Sequence, residues 1–507
     1  MDSMGLFRTS LISASLLFAR SFAQDGMDDG FDLPELPPPA SAQQVPAPTV
    51  NQPEEQPAVP TQEDHYAGPQ SESMDEAEPV QPGAEQAEAA EPVQAPTTAA
   101  EPVSENVPDK FGDTPPKIQV KKFPDNLDRP VRVGVFIDEK NLFVKQGSTT
   151  IAITAIGNQL EIASNGTKET VAQREFYTDD NKKCLNIAPT EKKLKTSCYP
   201  GYFIVKATKS KVTAINIVDV EDYIRGVVPY EIGKLDSSRF EALKAQAVAA
   251  RTYVYKHFNS RDALGFDVFA DTKDQVYMGY KSATPLTNAA VKATAGETMT
   301  YRGEFIIAYY HSTCGGKTET MVTWDKKNLP YLKSVPDVRP DGQPWCNESS
   351  YSKWERKFTD KELVTLFQKN GKEAKAKVPK FKKLKDISIR KKLPSGRIYT
   401  LQISTDKGSF NVTGDKVRWL FKQKGTILPS SLFTISHRGH YWILEGKGYG
   451  HGVGMCQMGV RARAQAGQSY LDILNHYYPG ITLERFEHYN AGAPRRDYQP
   501  GMRRQFR

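Results

Sequence analysis

The sequence predicts an α+β protein. A mixed sheet-and-helix core is expected beside a β-rich N-terminal region, an inserted α/β subdomain and a long disordered N-terminal segment. Three observations carry that expectation. Residues 117–207 hold short runs (VRVGVFI, NLFVKQ, TTIAITAI, NQLEIAS) that alternate or run apolar between Gly and Asn turns, as strands do. Residues 221–257 switch to helical spacing. Residues 24–115 show neither period: Pro, Ala, Glu and Gln dominate, and such a chain buries too little apolar surface to offset its ordering entropy.

From the N-terminus, residues 1–23 read as an export signal. Arg8 supplies charge, residues 11–18 a short apolar run, and Ser21-Phe22-Ala23 a cleavage site, with Arg20 just before it. No cysteine follows, so no lipoprotein is expected. No other apolar run approaches the roughly 20 residues of a membrane span, so the exported chain is expected in the periplasm, envelope or medium without an integral span. Residues 24–109 carry 19 acidic and no basic side chains; with +1 on residues 1–23, the total of +7 leaves +25 on residues 110–507. A body so basic favours polyanionic partners. Export argues against nucleic acid among them. The acidic segment 24–115, with its Ala-Glu-Pro-Val and Glu-Pro-Val repeats, reads as a tether.

The β-rich region spans 116–207, and near its end Cys184 and Cys198 flank a Lys-rich stretch where a hairpin-closing disulfide competes with two free thiols. A first core part is expected over 208–350. A strand-like run, 212–220, leads into a helix from Glu221 that is expected to stop near Val228, because Pro229 cannot continue it. Ser238 with Glu241 reads as a capping box starting a second helix, whose Phe240, Leu243, Ala247, Ala250 and Val254 share a face. Between them lies Glu231, flanked by Val227, Val228, Pro229, Tyr230 and Ile232. A carboxyl among apolar neighbours tends to keep its proton, as a general acid needs. A solvated loop glutamate is the ordinary alternative.

Next, DVFADTKDQVYMGY sets Asp271, Asp274 and Gln275 among Phe266, Phe269, Tyr277 and Tyr280. Aromatic faces beside amides and carboxylates suit a sugar; an amphipathic loop explains them equally well. An apolar run, 305–310, then delivers His311, Ser312, Thr313 and Cys314 to a Gly-Gly turn. Three readings stand: a Cys314–His311 nucleophile pair; a metal site of His311, Cys314 and Cys346, one ligand short of four; and a Cys314–Cys346 disulfide with His311 and Ser312 lining a cleft. Export ranks the disulfide first.

Residues 351–440 read as an inserted basic subdomain: a helix capped by Thr359, a lysine-rich stretch over 372–392 that most simply is a solvated face, and a hairpin with SGR and KG turns. A second core part, 441–487, contains GKGYGHGVGMCQMG, with glycine at every second position from Gly446 to Gly454. In an extended chain this leaves one face bare, while Lys447, Tyr449, His451 and Val453 project from the other. It lacks the Gly-Lys-Ser/Thr ending of a phosphate loop. Cys456 is expected buried and free. His451 is a second proton carrier or substrate donor, or else structural. Helices are expected over 457–466 and 470–478. The basic tail 488–507 is expected disordered.

DYIRGVVPYEIG with EALKAQAVAARTY, the D-x-x-x-Q-x-Y at 271–277, HSTCGG and GHGVGM-x-Q-x-G resemble, in this order, the sporulation stage II protein D family, which includes amidase-enhancer (LytB-type) proteins. The likeness covers about residues 200–482 and departs at Cys456, usually serine, and Val460, usually alanine. The resemblance implies a lytic transglycosylase that cleaves the MurNAc–GlcNAc bond of peptide-free peptidoglycan strands to 1,6-anhydro-MurNAc ends. It implies Glu231 as the catalytic acid, and Gln275, Tyr277, His311, Ser312, Tyr449 and His451 as glycan-binding. It implies no obligatory cofactor, although zinc in some relatives keeps the metal alternative open. A non-catalytic amidase enhancer, with a cell-wall amidase as partner, is the other reading.

Overall fold

The structure is a computed structural model, and residues 118–124, 127–178 and 184–487 are described. The expected leader, acidic tether and basic tail lie outside them. The fold is α+β. One five-stranded antiparallel sheet runs in the order Thr167–Val171, Gln159–Ser164, Thr149–Ile156, Asn141–Gln146, Asn186–Ala188. A second, in the order Val268–Phe269, Val131–Glu139, Lys211–Val218, Tyr202–Thr208, Gln173–Phe176, feeds directly into the first core helix. Alternate residues of these strands, such as Val131 and Val133 or Leu142 and Val144, are fully buried, as a period of two requires. Cys184 and Cys198 form the expected disulfide.

The first core helix is longer than expected. It covers Val220–Glu231, capped by the Asp219 carboxylate on the Glu221 N–H, and continues through Pro229. The proline sits in the last turn, where it removes one N–H bond; buried Val227, Val228 and Pro229 itself hold that turn in place. Glu231 is therefore the last residue of a helix rather than part of a connection. The second helix, Phe240–Lys256, is preceded by a 3-10 turn, Ser237–Arg239, and the cap is Asp236, not Ser238. Glu241 instead accepts from the Tyr470 N–H (2.8 Å) and pairs with Lys244. Between Ala242 and Tyr255 this helix is buried on every side except at Lys244, which fits its run of alanines. Buried Arg251 locks the two helices together: Nε and Nη2 reach the Glu221 carboxylate at 2.7 and 2.8 Å, and Nη1 reaches the Glu297 carbonyl at 3.0 Å.

The run at 305–310 is not one strand. Glu304–Phe305 ends a four-stranded sheet, and Tyr310–His311 pairs in parallel with Met455–Cys456. That two-residue ladder brings the HSTC segment beside the glycine run. Residues of the insertion form a separate hydrophobic cluster from Trp354 to Leu444. It contains two three-stranded sheets and a helix, Asp360–Asn370, with the Thr359–Glu362 capping box in place. Lysines such as Lys372, Lys380, Lys382 and Lys383 are exposed, as a solvated face would be. Buried Arg397, in a turn of the insertion, reaches into the core: its guanidinium donates to the carbonyls of Cys314 (2.8 Å) and Lys317 (3.1 Å). Among the described residues no helix is long and apolar enough to cross a membrane.

Candidate functional site

Three other segments converge on Glu231. Its carboxylate accepts from the backbone N–H of Val276 at 2.7 Å and from Gln457 Nε2 at 3.2 Å, and it is hydrogen-bonded to Tyr310. The Tyr310 hydroxyl already accepts from Gln275 Nε2 at 3.0 Å, so its own proton is left for Glu231. Gln275 is held in turn by the Tyr223 hydroxyl (3.1 Å) and the Ala250 carbonyl (3.3 Å). Burial pushes the Glu231 carboxyl up to about 7, and the three hydrogen bonds pull against that rise. The residue as a whole is only partly buried, so the acid is reachable from one side. No second carboxylate joins this hydrogen-bond network among the described residues. Asp274 is engaged elsewhere, by Tyr253 (2.8 Å), Arg261 (2.7 Å) and the Phe269 N–H (2.7 Å).

Several expected glycan contacts prove to be internal. Tyr277 is 1% exposed, and its hydroxyl donates to Asn216 at 2.8 Å. Its ring lies so close to Gly226 that a Cβ there would come within 2.5 Å of it. Gln275 is fully buried and acts through Tyr310. Phe266 and Phe269 belong to a small core with Ile215 and Ile217, not to a sugar platform. The loop at 271–277 thus builds the site from behind.

The glycine run is not extended. Gly448, Gly450, Gly452 and Gly454 all adopt positive φ, between 72° and 102°. The face expected to be bare is covered: a Cβ at Gly454 would lie 2.0 Å from the Tyr309 carbonyl oxygen, and one at Gly452 would lie 2.3 Å from Arg397 Cζ. The run packs against the HSTC segment and the insertion. His451 is spent on the same packing. Its Nδ1 accepts from the Val453 N–H (3.1 Å), so Nε2 carries the proton and donates to the Tyr310 carbonyl (3.0 Å). Burial, aided by Arg418 and Arg397, lowers its pKa to about 4 against the pull of Asp415. It is a neutral positioning group, not a proton carrier near pH 7. His311 is buried, donates from Nδ1 to the Val453 carbonyl (3.2 Å), and is likewise held well below its ordinary pKa, chiefly by burial. Ser312 is partly buried against Thr313, and Tyr449 packs at a tilt against Tyr351, ring centres 4.2 Å apart. Both retain some exposure.

The expected Cys314–Cys346 disulfide is not formed: the sulfurs stand 3.6 Å apart and all three cysteines outside Cys184–Cys198 are thiols. The metal alternative is also corrected in membership. His311 is not among the clustered groups; Cys314, Cys346, Cys456 and Asp337 are, with their ligand atoms within 4.8 Å of one another. His311 turns instead toward the Val453 carbonyl. Sequence reasoning missed Tyr310, Gln457 and the Val276 N–H as partners of Glu231. Gln457 had a signal, a polar amide opening a helix directly after the glycine run; Tyr310 did not stand out from an apolar stretch.

Comparison with known proteins fits this geometry. A Stage II sporulation protein family profile matches residues 208–301, which span Glu231, Gln275 and Val276. A domain of unknown function matches residues 346–454, the insertion together with the glycine run. An uncharacterised protein of Brachyspira hyodysenteriae is 32% identical over 58% of this chain and 74% of its own length. The amidase enhancer of Bacillus subtilis is 34% identical over 52% of this chain, although over only 40% of its own length. Stage II sporulation protein D of Bacillus subtilis is 30% identical over 53% of this chain and 76% of its own. With 30% identity over 76% of the Bacillus subtilis stage II sporulation protein D, and with its helix-ending Glu231 inside the matched family profile, this chain belongs to the stage II sporulation protein D family.

Proposed function

We propose that this chain is an exported lytic transglycosylase that cuts the MurNAc–GlcNAc bond of peptide-free peptidoglycan. The observation that carries the reading is the Glu231 carboxyl, raised to about 7 by burial at a partly open helix end and positioned there by groups from three other segments. Protonated Glu231 gives its proton to the glycosidic oxygen as the C1–O bond breaks. The sugar's own 6-hydroxyl closes on C1, and the carboxylate takes that hydroxyl's proton, restoring the acid. One carboxyl suffices because no water needs activating by a second, as a hydrolase requires. Tyr310 and Gln457 hold the ionised form between the two transfers. The basic body favours an anionic wall, and the Cys184–Cys198 disulfide favours an oxidising compartment. The test is mass spectrometry of peptide-free glycan digested with the chain and with Glu231→Gln. Anhydro-sugar ends from the first and none from the second are expected; undiminished release by the variant refutes the assignment.

The second reading is a non-catalytic enhancer that binds the wall and stimulates an amidase. The amidase enhancer at 34% identity favours it. Under that reading, amidase turnover on intact wall rises equally with the chain and with Glu231→Gln, and neither yields anhydro ends.

A further inference from the structure

The alanine-rich helix Phe240–Lys256 buries three polar side chains completely: Gln246, Arg251 and Thr252. Two of them are accounted for by the fold. Arg251 ties Glu221 to the Glu297 carbonyl, and the Thr252 hydroxyl donates to the Val248 carbonyl (2.8 Å) and accepts from the Met299 N–H (2.9 Å). Gln246 is different. Its Oε1 accepts from Gln457 Nε2 at 3.4 Å, and its own Nε2 is buried with no acceptor among the described residues. A buried donor left unmatched costs stability, and an apolar side chain of the same length would avoid that cost. We infer that Gln246 is a positioning residue for the acid: it fixes the Gln457 amide with its nitrogen turned to the Glu231 carboxylate. The inference rests on the reading of Glu231 as the acid.

Donor counting carries the argument. The Gln457 amide nitrogen has two hydrogens. One goes to Glu231 Oε2 (3.2 Å) and the other to Gln246 Oε1 (3.4 Å). Turned over, the amide would set its own oxygen against both of those oxygens, so Gln246 and ionised Glu231 oppose the flip together. Held this way, Gln457 favours the ionised acid, the state between giving a proton and taking one back. The same helix face orients the other arm of the site. One turn beyond Gln246, at i+4, the Ala250 carbonyl accepts from Gln275 Nε2 (3.3 Å). That nitrogen's second hydrogen reaches the Tyr310 hydroxyl (3.0 Å), whose own proton is left for Glu231. Both amides flanking the acid are thus aimed from one face of one helix. Tyr310 and Tyr223, the ionisable side chains of this network, are held well above their ordinary pKa, chiefly by burial, and stay neutral while Glu231 titrates.

The test reads the titration of Glu231 itself, by carbon NMR of the full chain labelled at the glutamate side-chain carboxyls, with the Glu231 resonance identified by its loss in Glu231→Gln. Gln246→Met keeps the length and removes the acceptor. It should raise the Glu231 midpoint by about half a unit to one unit, the worth of one neutral hydrogen bond. In the Gln457→Leu background the same substitution should add no further shift, because Gln246 acts only through Gln457. Gln246→Asn, which withdraws the amide by one methylene, takes its place if Gln246→Met does not fold, with the same expected rise. An unchanged midpoint would overturn the inference, as would an equal rise in the Gln457→Leu background, which would mark Gln246 as core packing. The titration is read without glycan, so it stands or falls separately from the transglycosylase reading.

Discussion

Replacing Glu231 by glutamine should stabilise the protein, and only above about pH 4.5. In the unfolded chain this carboxyl titrates near 4.5; in the folded protein it titrates near 7, because burial opposes ionisation. Below about pH 4.5 it is protonated in both states and contributes nothing. Between 4.5 and 7 the unfolded chain ionises first, the folded state binds more protons, and stability falls as pH rises. At ~1.4 kcal/mol for each pH unit, the loss levels off at about 3 kcal/mol above pH 7. A glutamine never ionises, so Glu231→Gln escapes the loss. Urea unfolding of both proteins at pH 4, 6 and 8 is the assay. We expect equal stabilities at pH 4 and a gap of about 3 kcal/mol in favour of the variant at pH 8, or roughly 5 °C in the melting midpoint. A gap independent of pH, or a variant less stable at pH 8, would refute the placement of this acid in a desolvated pocket.

Other consequences can be measured in parallel. Gln457→Leu removes a charge-assisted donor of roughly 1.5–3 kcal/mol from the ionised acid, so the basic limb of the pH–rate profile should move up by about one to two units while glycan cleavage slows. Asp267, bound by Arg129 and Arg132, is held down at about 2; its contribution, present above pH 3.8, should vanish as pH falls through 2, and Asp267→Asn should flatten that part of the stability curve. Gly454→Ala places a Cβ 2.0 Å from a backbone oxygen at φ +72° and should prevent folding, whereas Gly226→Ala, which meets the Tyr277 ring, should cost about 1–3 kcal/mol in urea titrations. Reduction of Cys184–Cys198, which closes a 14-residue separation, should cost about 3 kcal/mol.

What the sequence disclosed was mostly local. Alternating strands, the Thr359 capping box and the hairpin turns of the insertion are set by neighbours within a few residues, and they fold as read. Glu231 was legible because its apolar neighbours adjoin it in sequence. Decisions made by distant partners were not. Val227 and Val228 keep Pro229 inside a helix because the core around them is full, which no local rule foresees. The glycine run reads as an extended ribbon until Arg397 and the Tyr309 carbonyl supply a reason for left-handed turns. Tyr277 looks like a sugar stacker until Asn216, 61 residues earlier, takes its hydroxyl. Cys456 lies 142 residues from Cys314, so their meeting is a property of the ladder between Tyr310–His311 and Met455–Cys456 alone.

The guanidinium of Arg397 has a consequence for how this molecule can be taken apart. It grows from the insertion yet ends inside the core, under Gly452 and on the carbonyls of Cys314 and Lys317. Cutting out the loop region as a dispensable graft would leave two carbonyls stripped of their donor and a hole beneath the glycines. The lysine-studded lobe is thus a keystone for the fold around Glu231, and trimming it should cost the acid its shape.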